Sequence, residues 1–139
     1  DVDHYTTPYD MSLIAFNAIK DENFSKIWGT VDHTIPANNK SPQRFLHNKD
    51  KMLKPTSDYY YQYAIGGKTG FHDDAKNTLV TCAEKDGVKL ISVVMKANGY
   101  NQAYTDSKTL LDYGFSVYKD NKVYTAGTYT DKFLYTRHI

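Results

Sequence analysis

Apolar residues near the start of the chain recur at the spacing of one helix face: Met11, Ile14, Ala15, Ala18 and Ile19. Thr7, with Asp10 three positions later, resembles a capping box, and Pro8 then takes the first helical position. A second, shorter helix is predicted between Asn23, as its cap, and Gly29, as its end. The first thirty residues are therefore predicted to form two helices.

The pattern changes to alternation in the second half of the chain, where strands are predicted at 65–70, 76–84 and 89–95. Asp86-Gly87 separates the last two strands and favours a hairpin turn, because both of its central positions require positive φ. The strand at 89–95 is apolar on both faces, so we expect it to be covered on both sides. A short strand is also expected at 31–35.

A last helix is predicted to begin at Asn101 and to end at Gly114. The residues after Phe115 alternate weakly and suggest the beginning of another strand. The order of helices, irregular connector, antiparallel strands and helix defines an α+β fold, in which helices pack on an antiparallel sheet.

Composition narrows the possible functions of this 139-residue chain. Its net charge is +1, and the sequence contains no run of like charges, so the basic patch that a nucleic-acid partner requires is not expected. Cys82 is the only cysteine, which excludes an internal disulfide, and its apolar neighbours predict a small buried side chain. The five histidines lack metal-ligand spacing, so neither a metal nor another cofactor is expected. We find no stretch of about 20 apolar residues and no signal peptide.

Three glycines lie within or beside the predicted strand at 65–70, around Lys68-Thr69. Glycine weakens a strand, and one reason to tolerate it is the close approach of another backbone. A strand that borders a cleft could pair with an extended peptide there, with the Lys68 charge beside that peptide and the Thr69 hydroxyl binding a carboxylate. The Lys-Thr-Gly triplet is also one of the motifs of serine penicilloyl enzymes.

Five segments in order resemble the D-alanyl-D-alanine carboxypeptidase family: 4–13, 45–53, 67–71, 90–94 and 107–115. The resemblance implies a partial β-lactamase/transpeptidase-like fold, with residues 1–118 as the C-terminal part of the catalytic domain. Residues 119–139 would then be a tail or the start of a further module. The implied reaction is acyl transfer, in which a serine attacks the bond between two terminal D-alanines of a peptidoglycan stem peptide. β-Lactams would acylate the same serine.

The resemblance also implies the roles of individual residues. Lys68 would supply electrostatic stabilisation, and Thr69 would bind the substrate carboxylate, with Gly67 and Gly70 beside them. Phe71 would contribute its backbone N–H to the oxyanion hole. His72 stands where relatives often have threonine or serine, and it is either a polar wall of the cleft or an exposed loop residue. The tyrosines at 59–63 are expected to cover the sheet edge, or alternatively to line a ligand site.

The family's other two motifs are not found in their expected places. No Ser-x-Asn triplet exists, and the one Ser-x-x-Lys match, at 116–119, follows Lys68 whereas the family places it upstream. We therefore interpret that match as coincidental and expect the chain alone to be inactive. A β-lactamase relative and a non-catalytic peptidoglycan-binding module are the alternatives. The parent protein is expected to be exported to the bacterial envelope, and the apolar strand at 89–95 is expected to be an open edge that pairs with the N-terminal half or a second copy.

Overall fold

The computed structural model describes residues 4–120, with side chains through 118. Helix α1 spans Pro8–Ala18, and the Thr7 side chain caps it by accepting a hydrogen bond from the Asp10 N–H, as the sequence predicts. Helix α2 spans Glu22–Gly29. Its cap is Asp21, whose Oδ1 accepts from the Phe24 N–H at 2.8 Å, so the prediction of Asn23 was wrong. Both residue types are good caps, and the extended backbone of Asp21 decides between them.

The irregular connector contains a two-stranded sheet. Strand β1, Asp32–Ile35, confirms the strand expected at 31–35, and it pairs in antiparallel fashion with β2, Arg44–His47. Strand β2 was not predicted. A short 3-10 helix, Lys51–Leu53, follows, and its cap is Asp50.

The main sheet has three antiparallel strands in the order β3-β4-β5. Strand β3 spans Ala64–His72, β4 spans Lys76–Lys85 and β5 spans Val88–Ala97, so all three predicted strands are confirmed. The turn between β4 and β5 has φ of 51° at Asp86 and 78° at Gly87, as the sequence predicts. Within residues 4–120, β3 and β5 are the two outer strands.

Helix α3, Tyr100–Asp120, is longer than predicted at both ends. Asn101 lies inside it rather than capping it, and Gly114 does not end it. A Cβ on Gly114 would lie 2.8 Å from Leu90 Cδ1, so glycine at this position lets the helix approach β5 closely. The helix also continues past residue 118, the boundary predicted for the catalytic part. The strand suggested after Phe115 is helical as far as Asp120, and its remainder lies outside the described residues.

The sheet is covered by helices, which confirms the α+β prediction. Helices α1 and α3 both contact β5, and its side chains are half-buried to buried apart from two lysines, as its apolar character on both faces predicts. A hydrophobic core cluster lies between the sheet, α3 and the 3-10 helix, and includes Met52, Tyr61, Leu79, Val94, Tyr104 and Leu111. This packing leaves the outer edge of β3 beside α2 and the connector.

Candidate active-site strand

Lys68, Thr69 and Gly70 lie in the middle of β3, with only β4 beside them as a strand partner in the described part of the chain. A groove of about 480 Å³ borders this strand. Its walls are Ile27 and Trp28 of α2, the segment 47–49, and β3 itself. The arrangement is an outer strand facing an open groove, which is the geometry that strand addition by a peptide requires.

Lys68 and Thr69 are adjacent and therefore point to opposite faces of β3. The Lys68 side chain is exposed, and its Nζ donates to the Thr69 carbonyl oxygen at 2.5 Å. No carboxylate among residues 4–118 pairs with it. Thr69 is half-buried beside Tyr100 and Tyr104 of α3. The groove is therefore lined by Lys68, whose ammonium group has no ion-pair partner in the described chain, and by Thr69, whose side chain lies on the opposite face of β3.

The glycines of β3 have immediate neighbours within this chain. A Cβ on Gly66 would lie 2.8 Å from the Trp28 ring, and one on Gly67 would lie 1.8 Å from Asp50 Oδ2. A Cβ on Gly70 would lie 2.5 Å from the Thr78 side-chain oxygen. Close packing of the chain's own side chains is thus sufficient reason for these glycines. The idea that they admit a foreign backbone stays a prediction.

Asp50 is a residue that the sequence analysis missed. It is fully buried, its Oδ1 accepts from the Met52 N–H at 2.9 Å, and its Oδ2 has no hydrogen-bond partner in the described part of the chain. Desolvation by burial raises the pKa of this carboxyl to about 6, against the lowering effects of the Met52 hydrogen bond and the Lys54 charge. The local sequence before Met52 was enough to predict a capping residue at Asp50. The contact of Asp50 with Gly67, 17 positions away in the chain, could not be predicted in this way.

Phe71 and His72 lie at the end of β3. The Phe71 side chain is 69% exposed, which is compatible with a role that uses only its backbone. The His72 side chain is also exposed, and its Nδ1 accepts from the Asp74 N–H at 3.3 Å. His72 is thus an exposed residue next to the β3–β4 turn, and the oxyanion role of Phe71 stays a prediction.

Other candidates fall outside the groove. The tyrosines at 59–63 pack mainly against α3, where Tyr59 stacks on Tyr104 and the Tyr61 hydroxyl donates to Asp112. Cys82 is buried, as predicted, and burial raises the pKa of its thiol to about 11. Within the described residues, no group of three or more potential metal ligands occurs. No helix in this range combines the length and hydrophobicity needed to cross a bilayer.

The Ser-x-x-Lys match lies on α3 at its far end. Thr69 lines a small cavity together with Tyr100 and Tyr104 in the first turns of this helix, and Ser116 is 12 residues beyond Tyr104. At 1.5 Å per residue, this separation is about 18 Å along the helix axis. The Ser116 hydroxyl also donates to the Tyr113 carbonyl of its own helix. Both observations support the interpretation that this match is coincidental.

Comparison with known proteins defines the class. A family model, peptidase S11, described as D-alanyl-D-alanine carboxypeptidase, matches residues 1–99, which include β3 and its surroundings. The chain therefore belongs to this family. The resemblance drawn from the sequence and the expected partial transpeptidase-like fold are both confirmed.

Individual relatives agree with this membership. The chain is 29% identical over 121 residues to the D-alanyl-D-alanine carboxypeptidase DacF of Bacillus subtilis, covering 87% of this chain and 30% of that protein. It also resembles the structure of a Streptomyces DD-transpeptidase, with a TM-score of 0.73, 28% identity, and coverage of 84% of this chain and 44% of the other. A D-alanyl-D-alanine carboxypeptidase structure from Mycobacterium tuberculosis has a TM-score of 0.69 at 27% identity, covering 80% of this chain and 40% of that one. The chain thus spans less than half of each of these relatives.

Proposed function

We propose that this chain supplies the substrate-binding strand of a serine D-alanyl-D-alanine carboxypeptidase. The observation that supports this proposal most directly is that Lys68 and Thr69 lie on an outer strand beside an open groove, in a chain that belongs to this family. Thr69, aided by the Lys68 charge, binds the terminal carboxylate of a peptidoglycan stem peptide. Gly67 and Gly70 keep β3 close to its neighbours, and His72, at the end of the same strand, contributes a polar side chain to substrate binding. β-Lactams, which mimic the acyl-D-alanine bond, bind along the same strand.

In the proposed reaction, a serine oxygen attacks the carbonyl carbon between the two D-alanines. The carbon–nitrogen bond breaks, D-alanine leaves as the protonated amine, and water later releases the acyl group. The Phe71 N–H donates to the oxyanion that develops on the attacked carbonyl. The only Ser-x-x-Lys match in the sequence begins at Ser116, which lies far from Thr69 along α3. The 139-residue chain alone is therefore expected to take no covalent penicillin label.

The test is labelling by a fluorescent penicillin in the protein at its full natural length. We expect Lys68→Ala and Thr69→Val each to lower the second-order labelling rate by at least about tenfold, since each removes an interaction with the ligand anion. Lys40→Ala, an exposed lysine in the polar connector, serves as the matched control and should label normally. Unchanged labelling of both strand variants, or labelling of the isolated chain, would refute the proposal.

We further propose that the outer edge of β5 pairs with a strand from the N-terminal half of the protein or from a second copy. Helices cover both faces of β5, but β4 is its only strand neighbour within residues 4–120. An apolar strand with unpaired backbone groups favours such pairing. In sedimentation velocity, the isolated chain should associate as its concentration rises, and a strictly monomeric species would contradict this.

The proposed location is the bacterial cell envelope, after export, because peptidoglycan is assembled there. Membership of a cell-wall peptidase family supports this location. The names of the relatives favour carboxypeptidase or transpeptidase chemistry over the β-lactamase and non-catalytic alternatives.

A further inference from the structure

The Asp50 carboxyl lies directly behind the proposed substrate-binding strand. Its Oδ2 occupies the space where a side chain at position 67 would begin, and the Gly67 backbone contacts it. Residues two apart in a strand share a face, so Thr69 lies on the same face as Asp50, about 7 Å further along β3. Because Oδ2 is covered by the protein and has no partner in the described residues, its charge is poorly compensated.

The charged and titratable groups around Asp50 come from several elements. Lys54, after the 3-10 helix, acts on it electrostatically, and Tyr104 of α3 is affected by its charge. Lys51 instead lies over the rings of Tyr59 and Tyr100. From the sheet, the Gly67 backbone of β3 lies against the Asp50 carboxyl, and the hydroxyl of Thr81 on β4 donates to Met52 instead. Neither sheet residue can compensate a negative charge.

We propose that Asp50 is a positioning residue that couples the binding of an anionic ligand on the Lys68–Thr69 strand to the protonation of its own carboxyl. This inference rests on the proposed function. A carboxylate bound at Thr69 and an ionised Asp50 are like charges on the same face of β3, where residues two apart lie about 7 Å from each other, so they repel. When the Asp50 carboxyl is neutral, this repulsion is absent. The Gly67 backbone then also contacts a neutral group rather than a buried charge.

The direction of the effect follows from burial. Since burial raises the pKa of Asp50 to about 6, the carboxyl is neutral below pH 6 and ionised above it. Ligand binding is therefore strongest below pH 6 and weakens as pH rises through this value. By linkage, a bound anion must lower the acid dissociation constant of Asp50 by the same factor by which the proton strengthens binding. We set this factor at about fivefold, which corresponds to a rise of about 0.7 in the pKa.

The first experiment measures the rate of fluorescent penicillin labelling between pH 5 and 8 in the full-length protein. Because other groups also titrate between pH 5 and 8, the contribution of Asp50 is taken from the difference between the pH profiles of the wild type and Asp50→Asn. The second-order labelling rate includes the binding step. We therefore expect the rate of the wild type, relative to that of Asp50→Asn, to fall about fivefold as the pH rises from 5 to 8. The control is His47→Gln, since the His47 imidazole lines the same groove.

The outcomes separate the two proposals. No labelling of the wild type would refute the proposed function itself. Labelling with the same pH profile in wild type and Asp50→Asn, or a pH step that disappears only in His47→Gln, would overturn the role of Asp50 and leave the proposed function intact.

The second experiment needs no variant that might fail to fold. Carboxyl ¹³C NMR of the wild type gives the titration midpoint of Asp50 with and without N-acetyl-D-alanine, the probe carboxylate. We expect a midpoint near 6 without it and an upward shift of about 0.7, the pKa equivalent of fivefold, at saturation. A midpoint that stays unchanged under saturating probe would refute the coupling.

Discussion

At the scale of single residues, the proposed active-site strand depends on two glycines whose neighbours are bulky or charged. Gly66 makes room for the Trp28 ring of α2, and Gly67 makes room for the Asp50 carboxyl. These contacts set how closely β3 approaches the walls of the groove. The strand that carries Lys68 is thus positioned in part by Asp50, which is buried behind it, and in part by Trp28, which also forms a wall of the groove.

Gly67→Ala is the sharpest test at this scale. The new methyl group would overlap Asp50 Oδ2, which lies 1.8 Å from its position. We expect the free energy of unfolding to fall by about 2–3 kcal/mol, measured by urea denaturation. In an Asp50→Ala background, the same change should destabilise by at least about 1 kcal/mol less, because the obstructing carboxyl is gone. Equal effects in both backgrounds would show that the overlap is not the cause.

At the scale of elements, local capping decides where the helices begin. The sequence Asp21-Glu22-Asn23 offers two good caps, and the backbone selects Asp21, whose side chain accepts from Phe24 N–H. The start of α2 matters for the groove because Ile27 and Trp28 form one of its walls.

A pair of alanine substitutions distinguishes the two caps. Asp21→Ala removes the acceptor for the Phe24 N–H and should destabilise the protein by about 1 kcal/mol. Asn23→Ala, two residues away and exposed in the first turn, should change stability by less than about 0.5 kcal/mol. Urea denaturation of both variants checks this. The reverse order of effects would mean that α2 begins at Asn23.

At the scale of the whole molecule, buried polar contacts tie the sheet to α3. Ser92 of β5 and Ser107 of α3 are buried, and their hydroxyl oxygens are 2.5 Å apart. Close by, Gly114 lets the helix lie against Leu90. Together these contacts place the N-terminal turns of α3, with Tyr100 and Tyr104, beside Thr69.

Ser107→Ala should destabilise the protein by about 1–3 kcal/mol, because it leaves the buried Ser92 hydroxyl without this partner. The double variant Ser92→Ala with Ser107→Ala should lose less than the sum of the two single variants. Ser116→Ala, on the exposed face of the same helix, is the matched control and should be nearly neutral. Strict additivity in urea denaturation would contradict a direct bond between the two serines.

Local patterns in the chain were enough to establish most elements and the Lys68-Thr69-Gly70 strand. These patterns depend only on residues close together in the chain, so they can be recognised without a structure. They are the helix cap at Thr7 and Pro8, the hairpin turn at Asp86-Gly87 and the apolar run of β5. β2, the full length of α3 and the buried position of Asp50 could not be read in this way. Each depends on partners distant in the chain: β1 for β2, Leu90 for Gly114, and Gly67 for Asp50. Only tertiary packing brings those partners into contact, and packing also raises the pKa of Asp50 by removing it from water.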